Sequence, residues 1–450
     1  MDTPITLVSA DGHVSAPPEM YADYIEKKYL PDLDALRAEN EEWKTLIYSA
    51  KNTDPEILKV VDPQGAIQTD GEFGAWDIDR RVKELDREGV ACEVILSGTQ
   101  CSNLPFFGLM NRPFPPELRT AGLKAHHRWI AERTAAHPGR FHKIATSGPC
   151  VDLAETTAEL RWCAQNGFVG VSMPATVADK DQPPLYDSHY EPFWATCAEL
   201  DWVVLIHAGY GKPQGMWQDF LSSMQHKVGG AIDAGMREAL ENHENSPIFM
   251  DVGPRRALWQ LMLSGAFDRY PNLRVAVTEL RADWVPPTLA YLDRRARELR
   301  WPMKRLPSEY FAEHFAVTPS SPRPSEIALR HEIGVDRFLF GVDFPHPEST
   351  WPNTWEWIRD AFRGVPEAEA RQILGQNAIR FYRLDKSNLD RIAQKIGPRV
   401  SDILGEQARV DERLIDHFHA RARYREPAEV IDVPALDRAF SADVASVGAH

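Results

Sequence analysis

Four short stretches of this chain carry residues that could do chemistry together. The first is ITLVSADGHV, in which an apolar run from Ile5 to Val8 gives way to Asp11-Gly12-His13. Side chains two apart on an extended segment share a face, so Asp11 and His13 can converge on one atom. As an isolated fragment, Asp-Gly reads more readily as a chain reversal beside a solvated imidazole. The other three are VVLIHAG, which ends in His207, VAVTELRADW, which carries Glu279, and LFGVDFPHP, which carries Asp343. Each has an ordinary structural reading: a hydrogen-bonded histidine, an ion-paired glutamate, an aspartate that caps or turns the chain. Taken jointly, Asp11, His13, His207 and Asp343 would ring one point with two carboxylates and two imidazoles. That set suits a divalent cation, zinc first and manganese second.

Such a ring needs a scaffold that brings distant strand ends to one place. Eight apolar runs are spaced along the chain: ITLVSA, VACEVIL, HKIATSG, FVGVSM, VVLIHA, LRVAVTE, the weaker FAVTPS and FLFGVDF. Helical patterns lie between them, such as WDIDRRVKELDREG, LAETTAELRWCAQNG and EPFWATCAEL. Strands alternating with helices predict parallel βα units, and eight of them predict an α/β (β/α)8 TIM barrel with its chemistry at the C-terminal strand ends. All four stretches end at that face. Residues 14–75 are Pro-, Asp- and Glu-rich and follow the first strand, so they are expected as an insertion at the barrel mouth. The barrel then spans 1–385. Residues 386–450 are expected as a helical extension, and deletion from about residue 390 onward is expected to leave the barrel foldable while changing the oligomeric state.

Composition narrows the partners. With 450 residues, 43% hydrophobic content and net charge -15, the chain is a normal globular one with no electrostatic pull toward nucleic acid or an anionic membrane. A small-molecule substrate is the expectation. Cys92, Cys101, Cys150, Cys163 and Cys197 form no C-x-x-C pair, the opening MDTPITL shows neither a basic n-region nor a long apolar h-region, and no stretch reaches the ~18–20 apolar residues of a membrane span. The sequence therefore reads as cytoplasmic, without a membrane span, and as a homodimer or higher homo-oligomer.

The motifs also resemble a known family. SADGHVSAPPEMY, WDIDRRVKELDREGV, NGFVGVSMP, PPLYDSHYEPFWATCAELDWVVLIHAG, SGAFDRYPNLRVAVTELRADWVP, FLFGVDFPHPEST and ILGQNAIRFYRLD stand in the order found in the amidohydrolase superfamily. Within it they are similar to the amidohydrolase-related proteins that include aminocarboxymuconate semialdehyde decarboxylase and the resorcylate-type decarboxylases. The resemblance implies a barrel with one divalent metal, held by the pair Asp11 and His13, by His207 and by Asp343. There are two departures. The strand-one pair is Asp-x-His where the superfamily often has His-x-His or Glu-x-His, and Glu279 stands where decarboxylases of this family place a histidine.

A divalent ion lowers the pKa of bound water toward ~7 and polarises a carbonyl, so hydrolysis of an amide, a lactone or a C–C bond is the favoured reading from sequence. Asp343 and Glu279 are then the bases, and His207 lies beside the oxyanion. Non-oxidative decarboxylation of an aromatic or unsaturated acid is the alternative. Arg281 and Arg255, together with Arg256, are candidates to grip a substrate carboxylate. His346 is a candidate substrate contact, and Trp284, Trp217 and Trp351 are candidate pocket walls.

Overall fold

The computed structural model describes residues 3–44, 55–98, 104–107, 114–174, 177–178, 182–210, 212–213, 247–346, 349–405, 410–422 and 433–448. Trp217 and Cys101 lie outside them. A seven-stranded sheet forms the centre, and its spatial order follows the chain: β1 (Leu7–Ser9), β2 (Val90–Ile95), β3 (Phe141–Ala145), β4 (Phe168–Ser172), β5 (Val203–His207), β6 (Arg274–Thr278) and β7 (Phe315–Thr318). Every pairing within it is parallel. Helices follow the strands, among them Ile78–Glu88, which is capped by the Asp77 carboxylate and closed by Gly89 at φ +69°, a conformation that glycine adopts without a Cβ penalty. The fold is thus an α/β architecture of the TIM-barrel type.

Alternation along the strands explains why they are so uniformly apolar. Val204 and Ile206 belong to the apolar layer beneath the helices, whereas Val203 and Leu205 belong to a second cluster on the other face. Val275 and Val277 against Ala276, and Phe315 and Val317 against Ala316, repeat the pattern. Both faces are dry, as a parallel sheet under helices requires.

The eighth predicted run, FLFGVDF, is not a named strand. It nevertheless joins both edges of the sheet: Phe338 and Gly341 bridge Val317 and Ser320, while Phe344 bridges Gly12. Leu339 N–H donates to Val317 O at 2.8 Å, and Ala10 N–H donates to Phe340 O at 2.7 Å. Regular pairing ends because Asp343 takes a left-handed φ of +63°, which an extended ladder cannot contain. Gly341 is needed here, since a Cβ on it would stand 2.9 Å from the Asp11 Cβ.

The C-terminal helices pack more deeply than the sequence implied. Leu389, on helix Lys386–Ile396, joins the second apolar cluster, and Thr6 Oγ1 donates to Asp390 Oδ1 at 2.8 Å. In helix Val433–Gly448, the buried Asp443 accepts from Arg256 (3.0 and 2.9 Å), Trp259 Nε1 (2.8 Å) and Gln260 Nε2 (3.2 Å). Phe440 is fully buried, with its ring 5.6 Å from those of Trp259 and Trp301. These contacts change the expectation for truncation. Phe440→Ala should cost about 3–5 kcal/mol by urea unfolding, and a chain ending at 385 should melt lower than the full chain or aggregate. A full-length melting temperature in the truncated chain would restore the appendage reading. Among the described residues no helix is long and apolar enough to cross a membrane.

Candidate metal centre

The site is built where the two ends of the sheet meet. Asp343 N–H donates to Asp11 O at 3.0 Å and His13 N–H to Phe344 O at 2.8 Å, so the strand-one pair and Asp343 are carried on adjoining backbones. Beneath them Arg81, fully buried on the apolar stripe of helix Ile78–Glu88, pairs with the equally buried Glu93 of β2 at 2.7 Å. Its guanidinium donates to His13 O (3.1 Å), Gly74 O (3.3 Å) and Phe344 O (3.1 Å) and lies 4.1 Å over the Phe344 ring. A Cβ at Gly12 would sit 3.0 Å from both Arg81 Nη2 and Glu93 Oε1, so a larger residue would press on this buried pair. Asp11-Gly12-His13 is therefore no solvated turn: Asp11 and His13 are both buried.

His13 Nε2 lies 3.3 Å from Asp343 Oδ1, 3.4 Å from Glu279 Oε2 and 3.6 Å from Asp11 Oδ1. His207 Nε2 lies 2.9 Å from Glu279 Oε2 and 3.8 Å from Asp11 Oδ1. His346, proposed from sequence only as a substrate contact, stacks on His13 at 4.1 Å and places Nδ1 3.1 Å from Asp343 Oδ1. The other ring nitrogens of the two barrel histidines face carbonyls: His13 Nδ1 donates to Ser97 O at 3.3 Å and His207 Nδ1 to Ala208 O at 3.1 Å. A carbonyl only accepts, so Nδ1 carries the proton and Nε2 presents its lone pair inward. Ser320 Oγ donates to Asp11 Oδ2 and leaves Oδ1 toward the centre.

Whether this set fits a cation can be tested on its unsatisfied atoms. Asp11 Oδ1, His13 Nε2, His207 Nε2 and Glu279 Oε2 are buried and, despite their close approach, make no well-formed hydrogen bond. Buried polar atoms without partners cost free energy unless something charged completes them, and four converging O and N lone pairs are the donors of a divalent ion. The electrostatics agree. Burial and the neighbouring His346 would lower His13, but Asp343, Glu279 and Asp11 outweigh them and raise it. Burial would likewise lower His207, yet Glu279 and Asp11 hold it well above its usual value. Glu279 is held well below the carboxylate range by His207, His13 and His346 in spite of its burial. The pocket draws positive charge.

Glu279 and Asp343 both reach the centre through left-handed backbone, at φ +55° and +63°. Such conformations in non-glycine residues are uncommon and gather at functional sites. Arg81, Ser97 and Ser320 were not singled out from sequence. Arg81 had a signal, an arginine in phase with Ile78 and Leu85 on a buried helix face, whereas the two serines had none. Of the proposed substrate contacts, Arg255 lies over the buried Trp284 ring at 4.9 Å, Arg281 Nε is 3.9 Å from Asp283 Oδ1, and Arg256 is taken up by Asp443. Trp351 is buried and donates to Glu84 at 3.0 Å. A third donor group, His127, Glu159 and Cys163, is already satisfied. His127 Nε2 accepts from Thr146 N–H at 2.9 Å, its Nδ1 pairs with Glu159 at 2.8 Å, and hydrogen bonds from His127 and Arg128 hold the Glu159 carboxyl at about 2 against the upward push of burial.

A parallel α/β sheet of TIM-barrel type with buried imidazoles and carboxylates at its C-terminal ends defines a class of metal-binding barrel enzymes. The chain belongs to the amidohydrolase family, whose sequence pattern matches residues 110–384. It is 30% identical over 278 residues to gamma-resorcylate decarboxylase of Rhodococcus jostii strain RHA1, a match covering 57% of this chain and 75% of that protein. It is 24% identical over 335 residues to 2-amino-3-carboxymuconate-6-semialdehyde decarboxylase of Dictyostelium discoideum, covering 70% and 81% of the two chains. Among solved structures, dihydroxybenzoic acid decarboxylase of Polaromonas sp. JS666, with bound manganese and 2-nitroresorcinol, superposes with a TM-score of 0.57 at 20% identity over 86% of this chain and 99% of that one. An amidohydrolase of Mycobacterium avium subsp. paratuberculosis K-10 superposes at 0.60 with 16% identity, covering 86% and 100%. These two share the fold.

Proposed function

We propose that this chain is a divalent-cation-dependent, non-oxidative decarboxylase of an aromatic or unsaturated carboxylic acid. The observation that carries the reading is the 30% identity to a resorcylate decarboxylase over three quarters of that protein's length. It reverses the order favoured from sequence, where a water activated at the same donors made hydrolysis the first choice and decarboxylation the second. Manganese, present in the Polaromonas neighbour, takes precedence over zinc for the same reason. The donor set of three imidazoles and three carboxylates is compatible with either ion.

In this reading a bound cation neutralises and orients the substrate's carboxylate. Asp11, His13 and His207 would hold that cation together with Glu279, and Arg81 keeps the strand-one pair in place. Asp343, whose Oδ1 lies 3.3 Å from His13 Nε2 and 3.1 Å from His346 Nδ1, is the group to which we assign the transferred proton. That proton adds to the ring carbon bearing the carboxylate. The bond to the carboxyl carbon then breaks, its electron pair returns to the ring, and carbon dioxide leaves; no oxidant or reductant is needed. Arg281, two positions beyond Glu279, is the basic group we assign to a further anionic end of the substrate, and Arg255 braces Trp284 as a wall. The test is a screen of hydroxybenzoates, unsaturated acids, lactones and amides with manganese-loaded protein, read by carbon dioxide release and product mass. Carbon dioxide equal to substrate consumed, lost on chelation, is expected. Acid released from an amide or lactone without carbon dioxide would return the enzyme to hydrolysis.

A further inference from the structure

We propose that the buried pair Arg323 and Glu326 clasps the loop after β6 at two consecutive residues and so acts as a positioning device for Glu279. The inference rests on the reading of Glu279 as a ligand of the cation. Glu279 leaves the sheet with its N–H on Thr318 O at 3.0 Å and with a left-handed φ of +55°, a turn that a glutamate does not favour by itself. Two ties hold the chain just beyond it. Ala282 N–H donates to Glu326 Oε1 at 2.6 Å, and Asp283 Oδ2 accepts from Arg323 Nη2 at 3.1 Å. Both ties come from the segment after β7, where Arg323 Nε and the Arg323 backbone N–H each donate to Glu326 Oε2 at 3.0 Å. That segment is fixed in turn by Trp357 Nε1, which donates to Pro322 O at 2.8 Å.

Ala282, Arg323 and Glu326 are all buried. A buried N–H needs an acceptor, but a neutral one would satisfy it. A carboxylate brings a guanidinium into the core with it, a combination that adds little stability over apolar residues of the same size. What the pair adds is geometry. One Glu326 oxygen takes the loop and the other takes Arg323, whose planar fork spans from Glu326 to Asp283. Burial would lower the Arg323 guanidinium, yet Glu326 and Asp283 raise it, so its charge is retained. Ala282 follows Glu279 by only three positions. A displacement of Ala282 is therefore passed to the Glu279 carboxylate, whose Oε2 stands 2.9 Å from His207 Nε2.

The experiment strips the full chain with chelator and titrates it with manganese, reading free ion by electron paramagnetic resonance. Glu326→Leu alone strands the Arg323 guanidinium and should melt well below the parent, whereas Arg323→Met with Glu326→Leu removes both charges and should melt near it. If the pair positions Glu279, the double variant still binds manganese roughly 10- to 100-fold more weakly, the usual cost of losing outer support at a metal site. Asp283→Ala, which releases only the second tie, should weaken binding in the same direction. In a Glu279→Ala background the double variant should add less than about a threefold further loss, because the ligand through which it acts is gone. The parent's affinity in both the double variant and Asp283→Ala, or an undiminished further loss in the Glu279→Ala background, would overturn the proposal and leave the cation site standing. Unchanged affinity in Glu279→Ala itself would remove Glu279 as a ligand, and the clasp's role with it. Carbon dioxide release by the parent is scored separately: its absence alongside the expected affinities would sink the decarboxylase reading and leave the clasp in place.

Discussion

Asp343→Asn is expected to lower carbon dioxide release by roughly 100- to 10,000-fold, the usual contribution of a positioned proton-transfer group. The amide keeps an oxygen that can face His13 and His346, which lie 3.3 and 3.1 Å from the native Oδ1, so metal should still bind. It removes the acidic oxygen that would deliver the proton. Single-turnover measurements with manganese-loaded protein separate the two effects: the metal content should stay near that of the unaltered chain while the chemical step collapses. Activity within a factor of a few of the parent would remove Asp343 as the proton carrier and leave it as a ligand only. Loss of metal together with activity would show that a charged oxygen at this position is needed for binding.

Arg81→Met should be the most destabilising single change near the site, by about 3–5 kcal/mol, because it leaves the Glu93 carboxylate buried without its cation. Three carbonyls, of His13, Gly74 and Phe344, lose donors in the same step. Urea unfolding measures the cost, and manganese titration should show weaker binding, since both backbones that carry the strand-one pair and Asp343 hang on this guanidinium. Arg81→Lys should restore little, as one ammonium cannot reproduce the planar fork and its stacking on Phe344. Removing both charges with Arg81→Met and Glu93→Leu should recover stability relative to Arg81→Met alone. If the single variant unfolds at the parent's midpoint, the buried pair contributes nothing to stability.

Much of the architecture was legible because parallel strands buried on both faces have to be apolar runs, and the seven named strands fall within or beside the runs read from the sequence. His207 was legible by the same rule: it continues the phase of Val203 and Leu205, which face the inner cluster, so a strand-end histidine there points to the mouth. Residue type and order along the chain likewise sufficed to nominate Asp11, His13 and Asp343. Glu279 shows where alternation fails. Val275 and Val277 face the helices, so Glu279 in regular phase would face them too; its left-handed φ of +55° is what turns it to the metal side. No local pattern announces that turn, because it is held by surrounding structure. The eighth run was recognised by its apolar content, but its irregular closure depends on Asp343 adopting φ +63° against the end of strand one. Arg81 under Gly12, Ser320 on Asp11, and the burial of Phe440 and Asp443 join positions far apart in sequence, and such contacts exist only once the chain has closed. The sequence by itself determined which side chains were available and which strands would carry them; tertiary structure decided that Glu279 and His346 enter the same cluster, because the distances between donors are set by backbone turns and packing that residue spacing does not encode.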